Sequence, residues 1–366
     1  MNKKERFQAV REFKAPDAMP VWSCALSQPI FSHGHLLPDV TGQDWYDAEK
    51  ITDVILKSIR NVGYDLAIPF YSDFGFGVPS LGGVFDIPDK FGVAANISDN
   101  QSVKTKEDWP KVKEKLATFD VKTTDPRMKS ALEVIQNVSK AVGDTMPLVT
   151  FNYIGTTGAM FLFRPSGDFM EDINSDAEWV DEMCGLATDW AMDFLRAQYE
   201  AGANSVSFLV EVFGTLMISP KLAERFNLPN IKRVVEMVKK EFNQGVWIHM
   251  HGDVKTAEGY EYLTKLVKEA GVEGFHLDET HPAEWVKENV VEKLGASACV
   301  TVDTNLISSG PVEKIRDAVK EDMSTIGDGT GLIMAPSCQV LPTTSNENFK
   351  AFVDAVYEYG KFPLGA

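Results

Sequence analysis

Residues 245–278 read GVWIHMHGDVKTAEGYEYLTKLVKEAGVEGFHLD. The stretch opens on an apolar run, GVWIHMH (245–251), passes through a helical segment, TAEGYEYLTKLVKEAG, and returns to a second run, VEGFHLD (272–278). Runs with no polar face suit parallel strands buried on both sides. The glycine closing the helical segment is a usual helix stop.

The same unit recurs along the chain. Further runs are MPVWSCA (19–25), DLAIPFY (65–71), PLVTFNYI (147–154), NSVSFLVE (204–211), ASACVTVD (296–303) and GTGLIMA (329–335), which makes eight with the first two. Between them lie helical segments such as DAEKITDVILKSIRNVG and DAEWVDEMCGLATDWAMDFLRAQYEAG, both ending in glycine, and a last one with Ser345 as its N-cap. Eight strand–helix repeats predict an α/β fold, a (β/α)8 TIM barrel. The alternative is a doubly wound open sheet, but no Gly-rich phosphate loop opens a helix here. Residues 72–146 are too long for a simple crossover. They hold FGFGVPSLGGVF and two helical pieces, VKTKEDWPKVKEKLA and DPRMKSALEVIQNVSKAVG. The expectation is one domain over 1–366, with an insertion after strand two lying over the barrel mouth as a lid.

Composition narrows the partners. The 36 basic and 53 acidic residues leave a net charge of −17, which argues against nucleic acid or an anionic membrane as partner. Four widely spaced cysteines, Cys24, Cys184, Cys299 and Cys338, do not read as a disulfide framework. With no secretory signal and no apolar stretch of ~20 residues, a reducing cytoplasm is expected, where a lone cysteine can ligate a metal.

A barrel of this type gathers its chemistry at the C-terminal strand ends. Standing there are Cys24, Tyr71 with Asp73 beyond it, Asn152 and Tyr153, Glu211, His249 and His251, Asp278 and Glu279, Asp303, and then Cys338. His249 and His251 are two apart, so in a strand they share a face. Imidazole and thiolate are donors zinc prefers, and three protein ligands with an open position is the catalytic pattern. On spacing alone, separately hydrogen-bonded histidines and a loop thiol remain the alternative. A second such pair, His33 and His35, falls in a loop and reads as solvated.

The C-terminal segment IMAPSCQVLPTTSNENFKAFVDAVYEYG resembles a motif of the uroporphyrinogen decarboxylase superfamily, and within it the cobamide-dependent methyltransferase branch. WIHMHGD, LVEVFGTLMISPKLAERFNLPNIKRVV and KKERFQAVREFKAPDAMPVW resemble further segments of that branch. The resemblance implies a zinc site of one His and two Cys. His249 and Cys338 match two of these ligands, and His251 stands where the branch has Cys. Exchanging a thiolate for a neutral imidazole makes the ion more positive and a stronger Lewis acid. The decarboxylase branch resembles this chain less: its Arg-rich N-terminal segment corresponds to MPVWSCALSQPIFSHGH, which lacks arginine.

The resemblance implies methyl transfer between a corrinoid (cobalamin) protein, which docks at the barrel mouth, and a small methyl ether, methylamine or thiol activated by Zn2+. A metal-free decarboxylase and a non-catalytic barrel with structural zinc are the competing readings. Glu211 is a candidate fourth zinc ligand or partner of a histidine N–H, against a barrel salt bridge. Asp278 is a candidate ligand orienter or proton donor, against a helix cap, and Asp303 is read the same way. Asp73 matches a substrate-side aspartate of the superfamily. Cys24, Asn152, Tyr153 and Asp303 are expected to shape the substrate pocket. Phe74, Phe76 and Phe85 either cover an apolar substrate or pack the insertion onto the barrel.

Overall fold

Six of the eight apolar runs form parallel hydrogen-bonded strands in chain order: Thr150–Tyr153, Ser207–Glu211, Val246–Met250, Gly274–Leu277, Ser297–Val302 and Leu332–Pro336. They are counted here as barrel strands three to eight of a computed structural model that describes residues 1–72, 75–89, 96–211 and 217–362. The first two runs complete the ring through single parallel bridges. Val21 pairs with Met334 of strand eight, Trp22 with Leu66 of the second run, and Ala67 with Leu148 just before strand three. The expected eight-membered barrel is therefore closed, with its thinnest hydrogen bonding at strands one and two.

Side chains compensate at that seam. Asp65, fully buried, accepts the Val21 N–H (2.9 Å) and the Tyr357 hydroxyl (2.7 Å) through one oxygen and pairs with Arg6 (3.0 Å) through the other. It thus ties the first strand to the second and to the C-terminal helix, Asn346–Tyr359. Breaking one partner of such a buried ion pair strands the other charge.

The lower half of the barrel is filled by rings. Trp22 packs against Phe208 (centroids 4.4 Å apart) and Trp247 (5.8 Å), and Phe7 of the helix Lys3–Arg11 closes the N-terminal end against Trp247 (5.7 Å). Gly274 is required by this plug: a Cβ there would fall 2.4 Å from the Trp247 ring. The plug leaves only the C-terminal half of the interior for a site.

Within residues 72–146, the helix Pro126–Val142 packs beside Ala48–Val62, the place of an ordinary crossover helix. The additional material is mostly the part before it, including Val78–Leu81, Trp109–Leu116 and an antiparallel pair, Val84–Asp86 with Asn96–Asn100. Phe76 is buried against Tyr46, Phe70 and Phe194, and Phe85 lies under the Arg127 guanidinium. Both pack the insertion onto the barrel. Phe74 and Asp73 lie outside the described residues. Among the described residues, no helix is long and apolar enough to cross a membrane.

Candidate metal centre

Strand five decides which way its histidines face. Trp247 points into the barrel, so His249 and His251, at successive steps of two, follow it. His249 is 6% exposed, whereas His251, just past the strand, is partly open to solvent. Cys338 follows strand eight. Its loop is bent over the mouth because the Val340 N–H donates to the Cys24 carbonyl (3.0 Å) and the Ser337 N–H to the Val302 carbonyl (2.8 Å). The Cys338 sulfur stands 3.7 Å from His249 Nε2 and 3.6 Å from His251 Nε2. The three donor atoms lie within 4.8 Å of one another, so a single metal ion can be held by all three.

Both imidazoles are oriented from behind. His276, on strand six and in register with His249, brings its Nδ1 to 2.7 Å from His249 Nδ1. Its Nε2 is 2.9 Å from the Pro336 carbonyl, which can only accept. Burial pushes His276 down to about 4 against the pull of that carbonyl, so the ring is neutral with its proton on Nε2. Its bare Nδ1 accepts the His249 Nδ1–H, which also faces the His276 carbonyl at 3.3 Å. The lone pair of His249 is left on Nε2, facing Cys338. Burial lowers the affinity of His249 for a second proton well below the ordinary histidine range.

Asp278 serves His251. Burial favours its neutral form, but His251, His281, Thr280 and the Gly252 N–H together hold the carboxyl well below the usual range. Its Oδ2 accepts the Gly252 N–H (3.0 Å) and lies 3.7 Å from His251 Nδ1, at ion-pair distance. Oδ1 accepts from Thr280 N (3.1 Å) and His281 Nδ1 (3.1 Å), while His281 Nε2 accepts the Val254 N–H. Asp278, followed by the Cys338 thiol, raises His251 to about 10. Partners of this kind fix the ring and tautomer of a ligating histidine.

The histidines and Cys338 sit at one side of a cavity of about 210 Å3, whose other walls are chiefly Cys24, Leu26, Ile68, Phe151, Tyr153, Phe161, Phe208 and Val210. Cys24 holds a left-handed backbone, φ 43°, with its sulfur 3.5 Å from His276 Nε2. Tyr153 packs edge-on against Phe151 (5.3 Å) and Phe161 (4.6 Å). A larger depression at the opposite, N-terminal end, near Lys4, Arg11 and Gln244, is remote from these groups.

Three other sequence candidates are not brought to this cavity. Glu211 follows the inward-facing Phe208 and Val210 by one step, so it turns outward into the helical layer. There it accepts from Tyr262 OH (2.6 Å) and Asn227 Nδ2 (3.0 Å) through Oε1, while Oε2 is buried with no hydrogen-bond partner among the described residues. Burial raises it to about 7, against those two hydrogen bonds. This corrects both expected roles, metal ligand and partner of a ligand histidine. Asn152 is also turned outward and donates to the Ala191 carbonyl (3.2 Å). Asp303 caps the helix Thr304–Ser309 by accepting the Asn305 N–H (2.8 Å). His33, in the second histidine pair, bonds locally to the Pro29 carbonyl (2.7 Å). His276 was missed by sequence reasoning, although it stands two residues before Asp278 and shares its face.

The uroporphyrinogen decarboxylase (URO-D) family profile matches residues 2–359. The chain belongs to this family. Among its relatives in the URO-D family is a uroporphyrinogen decarboxylase of Pseudoalteromonas atlantica, 22% identical and covering 86% of this chain and 84% of its own. The methylcobamide:CoM methyltransferase MtaA of Methanosarcina barkeri is 23% identical, covering 97% of this chain and 98% of its own. A solved methyltransferase structure from Methanosarcina mazei superposes with a TM-score of 0.75 at 21% identity, covering 98% and 99% of the two chains. The URO-D barrel is thus common to proteins named for two different reactions.

Proposed function

We propose that this URO-D family member is a zinc-dependent methyltransferase that moves a methyl group between a corrinoid carried by a partner protein and a small substrate. The observation carrying this reading is the convergence of His249, His251 and Cys338. Zn–N bonds of about 2.0–2.1 Å and a Zn–S bond of about 2.3 Å give tetrahedral N···S edges of about 3.6 Å. The two measured S···N distances, 3.7 and 3.6 Å, fit that figure. Three protein donors leave one position for substrate, which suits catalysis better than a closed structural site.

Zinc, when bound, supplies Lewis acidity toward the oxygen, nitrogen or sulfur that loses or gains the methyl group. The remaining work falls to the chain. Asp278 and His276 orient the two imidazoles, and Cys338 completes the set from across the ring. The apolar walls limit water on the inner side of the reacting centre, where fixed charges act most strongly. The partly open edge at His251 gives a corrinoid protein access to the mouth.

The decarboxylase reading requires basic groups for a tetrapyrrole bearing several carboxylates. No Arg or Lys lines the cavity among the described residues, which favours methyl transfer. The test is metal analysis of the purified protein, followed by incubation with a reduced corrinoid protein and methyl ethers, methylamines or methylated thiols. About one zinc per chain, lost in His249→Ala, and a methyl–cobalt absorption spectrum are expected. Absence of both overturns the proposal.

A further inference from the structure

The cavity beside His249, His251 and Cys338 carries information about what enters it. Seven of its walls, Leu26, Ile68, Phe151, Tyr153, Phe161, Phe208 and Val210, are apolar or aromatic, and among the described residues none that lines it is Asp, Glu, Lys or Arg. All four aromatic walls are joined: Phe151 packs against Phe208 (5.9 Å) and edge-on against Tyr153, and Tyr153 edge-on against Phe161. The volume is about 210 Å3. For scale, an apolar protein cavity of about 150 Å3 accepts one benzene.

We infer that this cavity selects an uncharged, single-ring aromatic substrate whose methyl group is carried on a heteroatom attached to the ring. The inference rests on the methyltransferase reading and narrows its substrate class. A sulfonate, carboxylate or phosphate tail would enter a largely apolar pocket with no Lys or Arg among its described lining residues to receive it, and burying an unpaired charge is costly. An alkylammonium ion would gain from aromatic faces. It would, however, meet no Asp or Glu among the described lining residues, since the nearby Asp278 carboxylate is engaged behind His251 by the Gly252 N–H and the imidazole. Very small donors such as methanol would leave most of the apolar wall uncovered.

An aryl methyl ether satisfies each condition. It enters neutral, its ring meets Phe151, Tyr153, Phe161 and Phe208, and its heteroatom can face the ligand side. On transfer to a cobalt(I) corrinoid the O–CH3 bond breaks and its electron pair stays on oxygen. Cobalt supplies both electrons of the new Co–CH3 bond and passes from oxidation state I to III. The ring leaves as a phenolate, with its charge on the one atom nearest the positive centre. An aryl methyl thioether obeys the same balance with sulfur in place of oxygen.

The test is calorimetric binding to the zinc-loaded full-length protein. Methoxybenzene and phenol form the oxygen arm, methylthiobenzene and thiophenol the sulfur arm. Tetramethylammonium, methanol and 2-mercaptoethanesulfonate are the comparison set. At least one aromatic arm is expected to bind 10-fold or more tighter than every member of the comparison set. Val210→Phe, which fills the cavity, should abolish ring binding while zinc content stays unchanged. Tighter binding by any comparison compound, or ring binding indifferent to Val210→Phe, overturns the inference. Ring binding without methyl transfer to the corrinoid would leave the substrate pocket standing and remove the methyltransferase reading. Methyl transfer confined to charged thiols or ammonium compounds would do the reverse.

Discussion

His249 and His276 face one another through their Nδ1 atoms at 2.7 Å, at the middle of a chain of contacts running from the Pro336 carbonyl toward Cys338. One proton distribution satisfies every partner, and it leaves the His249 lone pair on Nε2. Replacing His276 by Leu removes the acceptor, and zinc affinity should fall about 10- to 100-fold, the usual effect of losing such a partner. Asn can place its Oδ1 where Nδ1 was, so His276→Asn should retain most of the affinity. Chelator competition measures both. Equal affinity in wild type and His276→Leu would reduce His276 to packing.

Each member of the triad should be needed for the ion. Cys338→Ser and His251→Ala should each lower zinc content well below one ion per chain after dialysis against a weak chelator, read by elemental analysis. Glu211→Gln should leave zinc content unaltered, since its carboxylate faces Tyr262 and Asn227. Zinc loss in that variant would contradict the outward placement of Glu211.

Glu211 should instead be felt in stability. Its ordinary value of 4.5 is raised to about 7 in the folded chain. The folded protein therefore binds the proton more tightly than the unfolded one. Stability is unaffected by this group below about pH 4.5, and declines as pH rises through the interval to about 7. The total is on the order of 3 kcal/mol for a shift of this size. Glu211→Gln mimics the neutral form, so the variant should gain on wild type as pH rises from 5 to 8. A difference in melting temperature that stays constant across that range would show that Glu211 is not the titrating group.

Asp65 makes a separate prediction at the seam between strands one and two. Asp65→Ala leaves the Val21 N–H without its side-chain acceptor and Arg6 without its inner partner. A loss of about 3 kcal/mol is expected, within the range for breaking a buried ion pair. Urea denaturation should show a lower midpoint with an unchanged slope.

Much of this was legible in the sequence, for physical reasons that also mark where reading stopped. Strands buried on both faces give long apolar runs, so all eight were found. The same property hides which residues face inward. In NSVSFLVE the outward phase is marked by Ser205 and Ser207, in step with Glu211 and opposite to Phe208 and Val210, but small serines are a weak signal in a strand buried on both faces, and Glu211 was assigned to the wrong side. The phase of GVWIHMH was recoverable because its two histidines are themselves in step. His276 was overlooked because a single polar residue inside GFHL is easily taken as core. Asn152 and Asp303 stand at strand ends, as expected, but the first serves a helix carbonyl and the second a helix start. Ring closure through isolated bridges has no sequence signature.

Cys338 and His249 belong to segments that the ring keeps apart: two other strands, six and seven, stand between five and eight. An ion held by both is a chord across the circle. Opening the barrel anywhere along that arc must either release the ion or carry it into an unfavourable geometry. Folding and metal occupancy are then one equilibrium viewed from two ends. Free metal at 100 times its dissociation constant would add about 2.7 kcal/mol to the folded state. A simple melting curve, recorded against zinc concentration, becomes a measurement of how well the chord fits.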